Sequence, residues 1–498
     1  MEIGILDRAL ACISPRAALN RVRARMALDV TLGYDGASRT RRLSGWRKVT
    51  AASANSEARP VIRALRERTR DLARNNYYGV RAIDQIANNM VGAGIIPVFK
   101  AKSKAKADRL NELWTAWGED SVYCDFDEVG NIYALQGMMA KTLAESGECV
   151  VLRRFVNDSS RVLPFEIQVL EPDHIDSTRD SYHRLVGEPF TCLGIQFNAL
   201  GKRTGYWLFD NHPGEGVAMN ASRLHSADEV IHLFRRDRPE QIRGIPWLTP
   251  CILRMKDLDD YEDAQLLRQK IAACFAAFIR DTEGGGSISG DDDELLERIE
   301  PGRIETLPPG KDIVFGSPPG PENYDAYMRQ VLHGIAAGVG LTYEMLTGDY
   351  SQVNFTSGRM GRGDFWTQLD CWQWHIFIPQ ALSVLGRWFL EAAELKGCDI
   401  SGVRIEWVPP KRQLVDPTRE IPAMVKSVRA GFSSRQQQIR ELGFDPRVVE
   451  GELEEDNANA DAKGLILDSD PRRVNNGGQA QADMTGGGAE ENNNKEDE

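Results

Sequence analysis

The sequence predicts an α+β protein in which long helices enclose a β-rich middle. Three observations lead there. Between residues 147 and 235 short alternating or continuous apolar runs are separated by turn residues, the pattern of strands. On both sides apolar residues recur at three- and four-residue spacing, the pattern of helices. From Tyr324 to Trp388 two such helical stretches flank a polar, Gly- and Ser-bearing loop.

The bulk numbers set limits. The chain has 498 residues, 42% apolar and 27% charged, enough for about two to four domains with an ample core. No apolar run reaches the roughly 18 residues that span a bilayer. Met1–Asn20 lacks the long apolar region of a secretory signal, so the chain is expected to stay in the cytosol of the cell that makes it. The eight cysteines, at 12, 124, 149, 192, 251, 274, 371 and 398, form no C-x-x-C pair. Cys371 and His375 share a helix face, but no second pair completes a zinc site. Small buried thiols in a reducing compartment are the favoured reading. The net charge of −12 is uneven: residues 1–60 carry +6 and residues 451–498 carry −9. A basic arm and an acidic tail on a mildly acidic body are expected.

Taken in order, residues 1–59 read as the arm, with a basic amphipathic helix from Leu10 to Leu28 and a lone Trp46 as an anchor. Ala58–Val91 is helical, with a break at Asn75-Asn76, and Gly92–Pro97 leads into a strand. Helices follow at Lys104–Trp117 and Asn131–Ser146. Strands are read at Glu148–Phe155, Phe165–Leu170, Thr191–Phe197, Gly205–Phe209 and Glu229–Phe234. A helix starts near Leu248 and runs to Asp281; from Leu253 it would span about 40 Å. Its end, Ile271-Ala-Ala-Cys274-Phe275-Ala-Ala-Phe278-Ile279, wants close packing against another helix, from this chain or an identical one.

A flexible Gly284–Gly290 and short strands at Ile304–Leu307 and Asp312–Phe315 come next. The loop is bounded by helices at Tyr324–Ala337 and Arg359–Leu395, the second interrupted by Pro379. Val403–Val408 is a strand, Asp416–Ala430 and Ser433–Gly443 are small helices, and from Glu450 onward rising Asn, Gly and acid content reads as disorder.

Catalytic signatures are sparse. No Walker-type loop, G-x-G-x-x-G, G-x-S-x-G or H-E-x-x-H occurs. Glu171-Pro-Asp173-His174-Ile-Asp176 has the residue types of a metal site, but a surface turn is favoured because no second ligand cluster supports it. The acids from Asp257 to Asp263 surround early turns of one helix, where they complement its dipole. A two-metal nuclease would need Asp173 and Asp176 to converge with Asp257 or Asp260. The expectation is a protein that is not an enzyme, with no cofactor and no metal.

Several segments, in this order, carry a resemblance. They are Leu72-Ala-Arg-Asn-Asn-Tyr77 with Ile83–Ile95, then Val169-Leu-Glu-Pro-Asp-His-Ile-Asp176 and Arg243-Gly-Ile-Pro-Trp247. Leu258-Asp-Asp-Tyr-Glu-Asp-Ala264, Lys270-Ile-Ala-Ala273, Ile335–Glu344 and Thr347–Phe355 complete the set. From about Trp46 to Leu442 the sequence resembles the lambda-type portal proteins of tailed bacteriophages. The resemblance implies the portal fold and a ring, usually of twelve copies, at one capsid vertex of the virion. Double-stranded DNA would be pumped through its channel by the terminase large subunit and later leave to the tail. Major capsid, scaffold and head-completion proteins would be partners, and no membrane.

By the same resemblance, 60–250 is the wing, 251–281 and 322–340 are stem helices, and 282–321 is the clip. Residues 341–358 are the tunnel loop, 359–396 the long wing helix and 397–450 the crown; the disordered acidic tail, 451–498, is read from composition alone. The implied contact residues are Asp349, Tyr350, Ser351, Gln352, Val353 and Asn354 in the loop, with Ile271, Cys274, Phe275, Phe278 and Ile279 packing the stem. Two other classes remain open: a metal-dependent DNA-processing enzyme, and a ring-forming connector of another family.

Overall fold

The computed structural model describes residues 51–181, 187–216, 220–273, 277–281, 311–315, 324–410, 416–444 and 446–465, with 467, 470 and 472. The chain divides into two compact units, Met1–Glu57 and Ala58–Glu498, and the architecture below is that of the second. The expected helix Leu10–Leu28 and Trp46 lie outside the described residues, as do Gly284–Gly290 and the strand Ile304–Leu307.

Helices α1 (Ile62–Asn75) and α2 (Tyr77–Val91) are separated at the expected break. Asn76 is extended there, and its side chain accepts a hydrogen bond from Gly79 N at 2.8 Å, capping α2. Strand β1 (Ile96–Lys100) follows, then α3 (Lys104–Gly118) and α4 (Ile132–Ser146). Asn131 caps α4, and Gly147 ends it at φ 82, a left-handed conformation suited to glycine.

Strand β2 (Glu148–Phe155) lies between β3 (Phe165–Leu170) and β8 (Val230–Phe234) in a three-stranded antiparallel sheet. A second sheet is a meander of β4 (Phe190–Cys192), β5 (Ile195–Phe197), β6 (Arg203–Phe209) and β7 (Ser222–Ser226). The single strand expected over Thr191–Phe197 is thus two, turned at Leu193 (φ 49) and Gly194 (φ 82). β2 is buried on both faces, which explains its unbroken apolar run. Cys149 and Val151 enter the main core, while Val150 and Leu152 join a second cluster with Ile175, Ile195, Tyr206 and Leu208.

Helix α5 (Ile252–Ala273) ends eight residues before the expected Asp281. Residues Ala277–Asp281 form β9, antiparallel to β10 (Lys311–Phe315), with Phe278 opposite Val314 and Ile279 opposite Ile313. Phe278 and Ile279 are therefore strand residues and not part of a stem helix; Cys274 and Phe275 lie outside the described residues. An Ala-rich apolar run reads as helix by composition, but β-branched and aromatic residues favour pairing once a partner strand is available.

After α6 (Tyr324–Val339) comes a short α7 (Tyr343–Thr347), and then α8 (Phe355–Trp372). The long helix thus starts at Phe355, earlier than the expected Arg359. It continues as a π-helical segment over Gln373–Leu382, around Pro379, into α9 (Ser383–Leu395). The wider turn accommodates the proline without breaking the rod. Strand β11 (Arg404–Val408) pairs with β1, Ile96 opposite Val408 and Lys100 opposite Arg404. The region assigned to a crown therefore begins with a strand that belongs to the body. Helices α10 (Pro417–Arg429), α11 (Arg435–Glu441) and α12 (Pro446–Lys463) finish the described chain. The tail expected to be disordered from Glu450 is helical as far as Lys463.

The main core is knit by aromatic rings from distant segments. Trp117 on α3 lies 5.6 Å from Trp114, 4.8 Å from Phe165 and 6.0 Å from Phe389. Trp114 also meets Trp407 of β11 at 6.1 Å.

A charged node sits beside this core. The Glu148 carboxylate, wholly buried, accepts from Arg243 Nε at 3.0 Å and lies 3.0 Å from Arg66 Nη2. His232 Nε2 is 3.4 Å away. Arg243 in turn donates to Leu193 O (2.8 Å), Ser177 Oγ (2.9 Å) and Pro172 O (3.4 Å), tying α1 and both sheets together. Burial alone would raise the Glu148 pKa, but the two guanidinium groups hold it well below the usual carboxylate range. Burial pushes His232 down to about 4 from 6.5.

His232 is thus neutral in the fold and would be charged in the unfolded chain below pH 6.5. Its contribution is complete above 6.5 and is lost as pH falls towards 4. We expect the melting temperature to fall between pH 6.5 and 5. His232→Asn should flatten that slope in melts monitored by circular dichroism; an unchanged slope would show that His232 does not carry it.

Candidate functional site

The loop from Gly348 to Asn354 is built by local capping. Thr342 starts α7, its hydroxyl accepting from Met345 N at 3.3 Å, and Gly348 (φ 75) ends it. The Asp349 carboxylate turns back into the loop, accepting from Ser351 N at 2.9 Å and lying 3.5 Å from the Tyr343 hydroxyl. Hydrogen bonds from Ser351 hold the Asp349 carboxyl below its ordinary pKa. Asn354 closes the loop in a capping box: Ser357 N donates to Asn354 Oδ1 at 2.8 Å, and Asn354 N donates to Ser357 Oγ at 3.2 Å. The polar residues Asn354 and Ser357, read from sequence as loop, are what starts α8.

Of the six residues expected to make the loop surface, Tyr350, Ser351, Gln352 and Asn354 are exposed, with Tyr350 at 62%. Asp349 and Val353 are half-buried. The base is tied to α6 by a stacked pair, His333 on Tyr343 at 4.4 Å. Behind the loop is a cavity of about 400 Å³, lined among others by Gln85, Asn89, Tyr350, Arg359 and Arg362. The loop itself contains no Lys or Arg. Arg359 and Arg362 stand within the first two turns of α8, and only the tertiary arrangement of α2, α7 and α8 brings them to the cavity.

The two helices flanking the approach to this loop pack on each other. Cys251 Sγ lies 3.4 Å from Ile335 O, and the Tyr261 ring stacks on Tyr324 at 5.9 Å and meets Tyr327 in a tilted contact at 4.6 Å. Gly338 is required there, because a Cβ would lie 2.5 Å from the Cys251 sulfur. Leu253, Leu266 and Leu267 of α5 are exposed.

The carboxylates of the nuclease alternative have separate structural partners. Asp259 accepts from Asn76 Nδ2 at 2.6 Å, and Glu262 accepts from the Tyr77 hydroxyl. Asp260 pairs with Lys256 at 2.7 Å. Asp176 accepts from Ser222 Oγ at 2.6 Å. Among the described residues one cluster has metal-ligand types, Glu171, Asp173 and His212, with donor atoms within 4.8 Å of one another. Arg70 Nη2 sits 2.8 Å from Glu171 and 2.5 Å from Asp173, so a guanidinium already supplies the cation. The turn around Asp173 is an ion-pair node that fastens α1 to the sheets.

The chain is thus built as a scaffold that presents a polar loop. Comparison with known proteins agrees. The family model described as phage portal protein, lambda family, matches residues 39–373, and the chain belongs to that family. The probable portal protein of Halomonas phage phiHAP-1 is 26% identical over 462 residues, covering 87% of this chain and 88% of that protein. Portal protein B of Escherichia phage lambda is 22% identical over 432 residues, covering 76% and 80%.

Among solved structures, a chain in the neck of a native GTA particle computed with C12 symmetry has a TM-score of 0.47 at 14% identity. The match covers 76% of this chain and 94% of that one. An HK97 family phage portal protein from Corynebacterium diphtheriae gives 0.34 at 10% identity, covering 71% and 97%. The protein is a portal, or head–tail connector, subunit, a structural component of the virion and not an enzyme. Among the described residues no helix is long and apolar enough to cross a membrane.

Proposed function

We propose that twelve copies form a ring at one capsid vertex, through whose channel the terminase large subunit drives double-stranded DNA inward and from which DNA later passes to the tail. The observation that carries this reading is the family match over residues 39–373, which includes both helices leading to the exposed loop and the loop itself. In this reading α5 and α6 are the stem and β9–β10 the base of the clip. Gly348–Asn354 faces DNA. Terminase, and later head-completion proteins, dock on the clip; capsid and scaffold proteins surround the ring.

The loop chemistry fits a guide. Tyr350, Ser351, Gln352 and Asn354 offer neutral hydrogen-bonding groups, and the loop has no Lys or Arg. Each cation that binds a phosphate adds salt-dependent affinity, which would brake a moving duplex. Tyr350→Ala with Gln352→Ala is expected to change packaging rate or retention of packaged DNA while leaving ring assembly intact. Packaging and retention equal to wild type in a nuclease-protection assay would remove the loop from that role.

A further inference from the structure

Helix α10 has the sequence of a packed helix but is not packed as one. Ile421 and Val425 are one turn apart on α10, and Phe432 follows just past its end; they are 51%, 46% and 87% exposed. No residue of α10 or α11 is buried. The adjoining side of α10 is the one that meets the body: Glu420 lies 3.7 Å from Arg359, and Met424 lines a cleft with Trp366 and Trp407. Ile421 and Val425 border that contact and remain about half in water, with Phe432 more exposed still. Lys426 and Arg429 border it. An amphipathic helix with its apolar side in water marks a surface that another molecule covers.

The chain carries a surface of complementary charge nearby in sequence. Helix α12 exposes Val448 (56%) and Leu453 (45%), with Glu452 and Glu455 exposed beside them. The acidic residues beyond 472 are a poor alternative occupant, since that stretch has almost no apolar side chains to bury.

We propose that the Ile421–Val425–Phe432 stripe of one copy receives α12 of the next copy. Val448 and Leu453 meet the apolar residues, while Lys426 and Arg429 face Glu452 and Glu455. A contact between unlike surfaces of identical chains propagates head to tail and closes into a ring when the rotation allows. The alternative self-contact, α10 against α10, would place Lys426 and Arg429 against their own copies and close a dimer. This inference rests on the ring reading above and adds the residues of one inter-subunit contact.

The test is sedimentation velocity of the full chain and four variants: Lys426→Glu with Arg429→Glu, Glu452→Lys with Glu455→Lys, the combined quadruple, and Phe432→Ser. Each charge reversal juxtaposes like charges and should raise the concentration needed for assembly about tenfold or more; the quadruple should return to within about threefold of wild type. Phe432→Ser should also weaken assembly. All positions are on the surface, and an unchanged melting temperature checks that each variant is folded. Rings from wild type together with undiminished assembly of the reversals, or a folded quadruple that is not rescued, overturn this contact alone. A wild-type chain that forms no ring overturns the ring reading and the contact with it.

Discussion

Glu148→Gln is expected to destabilise the subunit by about 3–5 kcal/mol, because it removes the carboxylate placed between two buried guanidinium groups. Arg243 and Arg66 are 1% and 4% exposed and cannot turn to water. The amide would keep the volume and still accept one hydrogen bond, but it would leave two cations facing each other in a poorly screened site. The backbone adds to the cost. Gly244 N also donates to Glu148, and a Cβ at Gly244 would fall 2.1 Å from the Gly147 carbonyl oxygen, so the strand end and the Arg243–Trp247 segment are pressed together there. Urea denaturation of the purified chain reads the effect directly. A companion change, Arg66→Met in the Glu148→Gln background, should recover part of the loss by removing one unpaired cation. A loss under about 1 kcal/mol for Glu148→Gln would mean that water or a backbone shift relieves the node.

Trp117→Ala is expected to cost about 3–5 kcal/mol, the range for truncating a fully buried aromatic. The indole is 0% exposed and bridges α3, β3 and α9 through Trp114, Phe165 and Phe389. Its Nε1 donates to Phe165 O at 3.2 Å, so the change opens a cavity and also leaves a buried carbonyl without its donor. Trp117→Phe separates the two effects, since it retains most of the packing and loses only the hydrogen bond. It should cost about 1–3 kcal/mol. Equal losses for the two variants would assign the whole effect to that hydrogen bond.

Much of this fold is legible in the sequence where the local pattern and the tertiary environment agree. Strands β2 and β3 begin and end where their apolar runs do, because Gly147 and the polar turn after Phe155 leave no competing pattern. Asn76 was readable as a break because its short amide can cap α2. The errors occur where composition and structure part. The Ala- and Phe-rich end of α5 gives no period that distinguishes helix from strand, and β10, which decides it, lies some 30 residues away. Strand β7, Ser-Arg-Leu-His-Ser, is an edge strand with no buried residue, so no apolar alternation marks it. Helix α12 has a composition that suggests disorder and still forms a helix, in contact with α11 through Gln436 and Glu450. The loop itself was found, but its start and finish were blurred, because the residues that cap α7 and α8 are the same polar types that fill loops. The cavity behind it, with Arg359 and Arg362, depends on three helices meeting and has no one-dimensional signal.

The most direct test of the account is electron microscopy of the purified full-length protein in negative stain. The account predicts rings with a central hole wide enough for a DNA duplex and radial symmetry of about twelve subunits. A field of dispersed monomers or compact particles without a hole, at concentrations where the protein is folded, would contradict the claim that this chain by itself builds the channel.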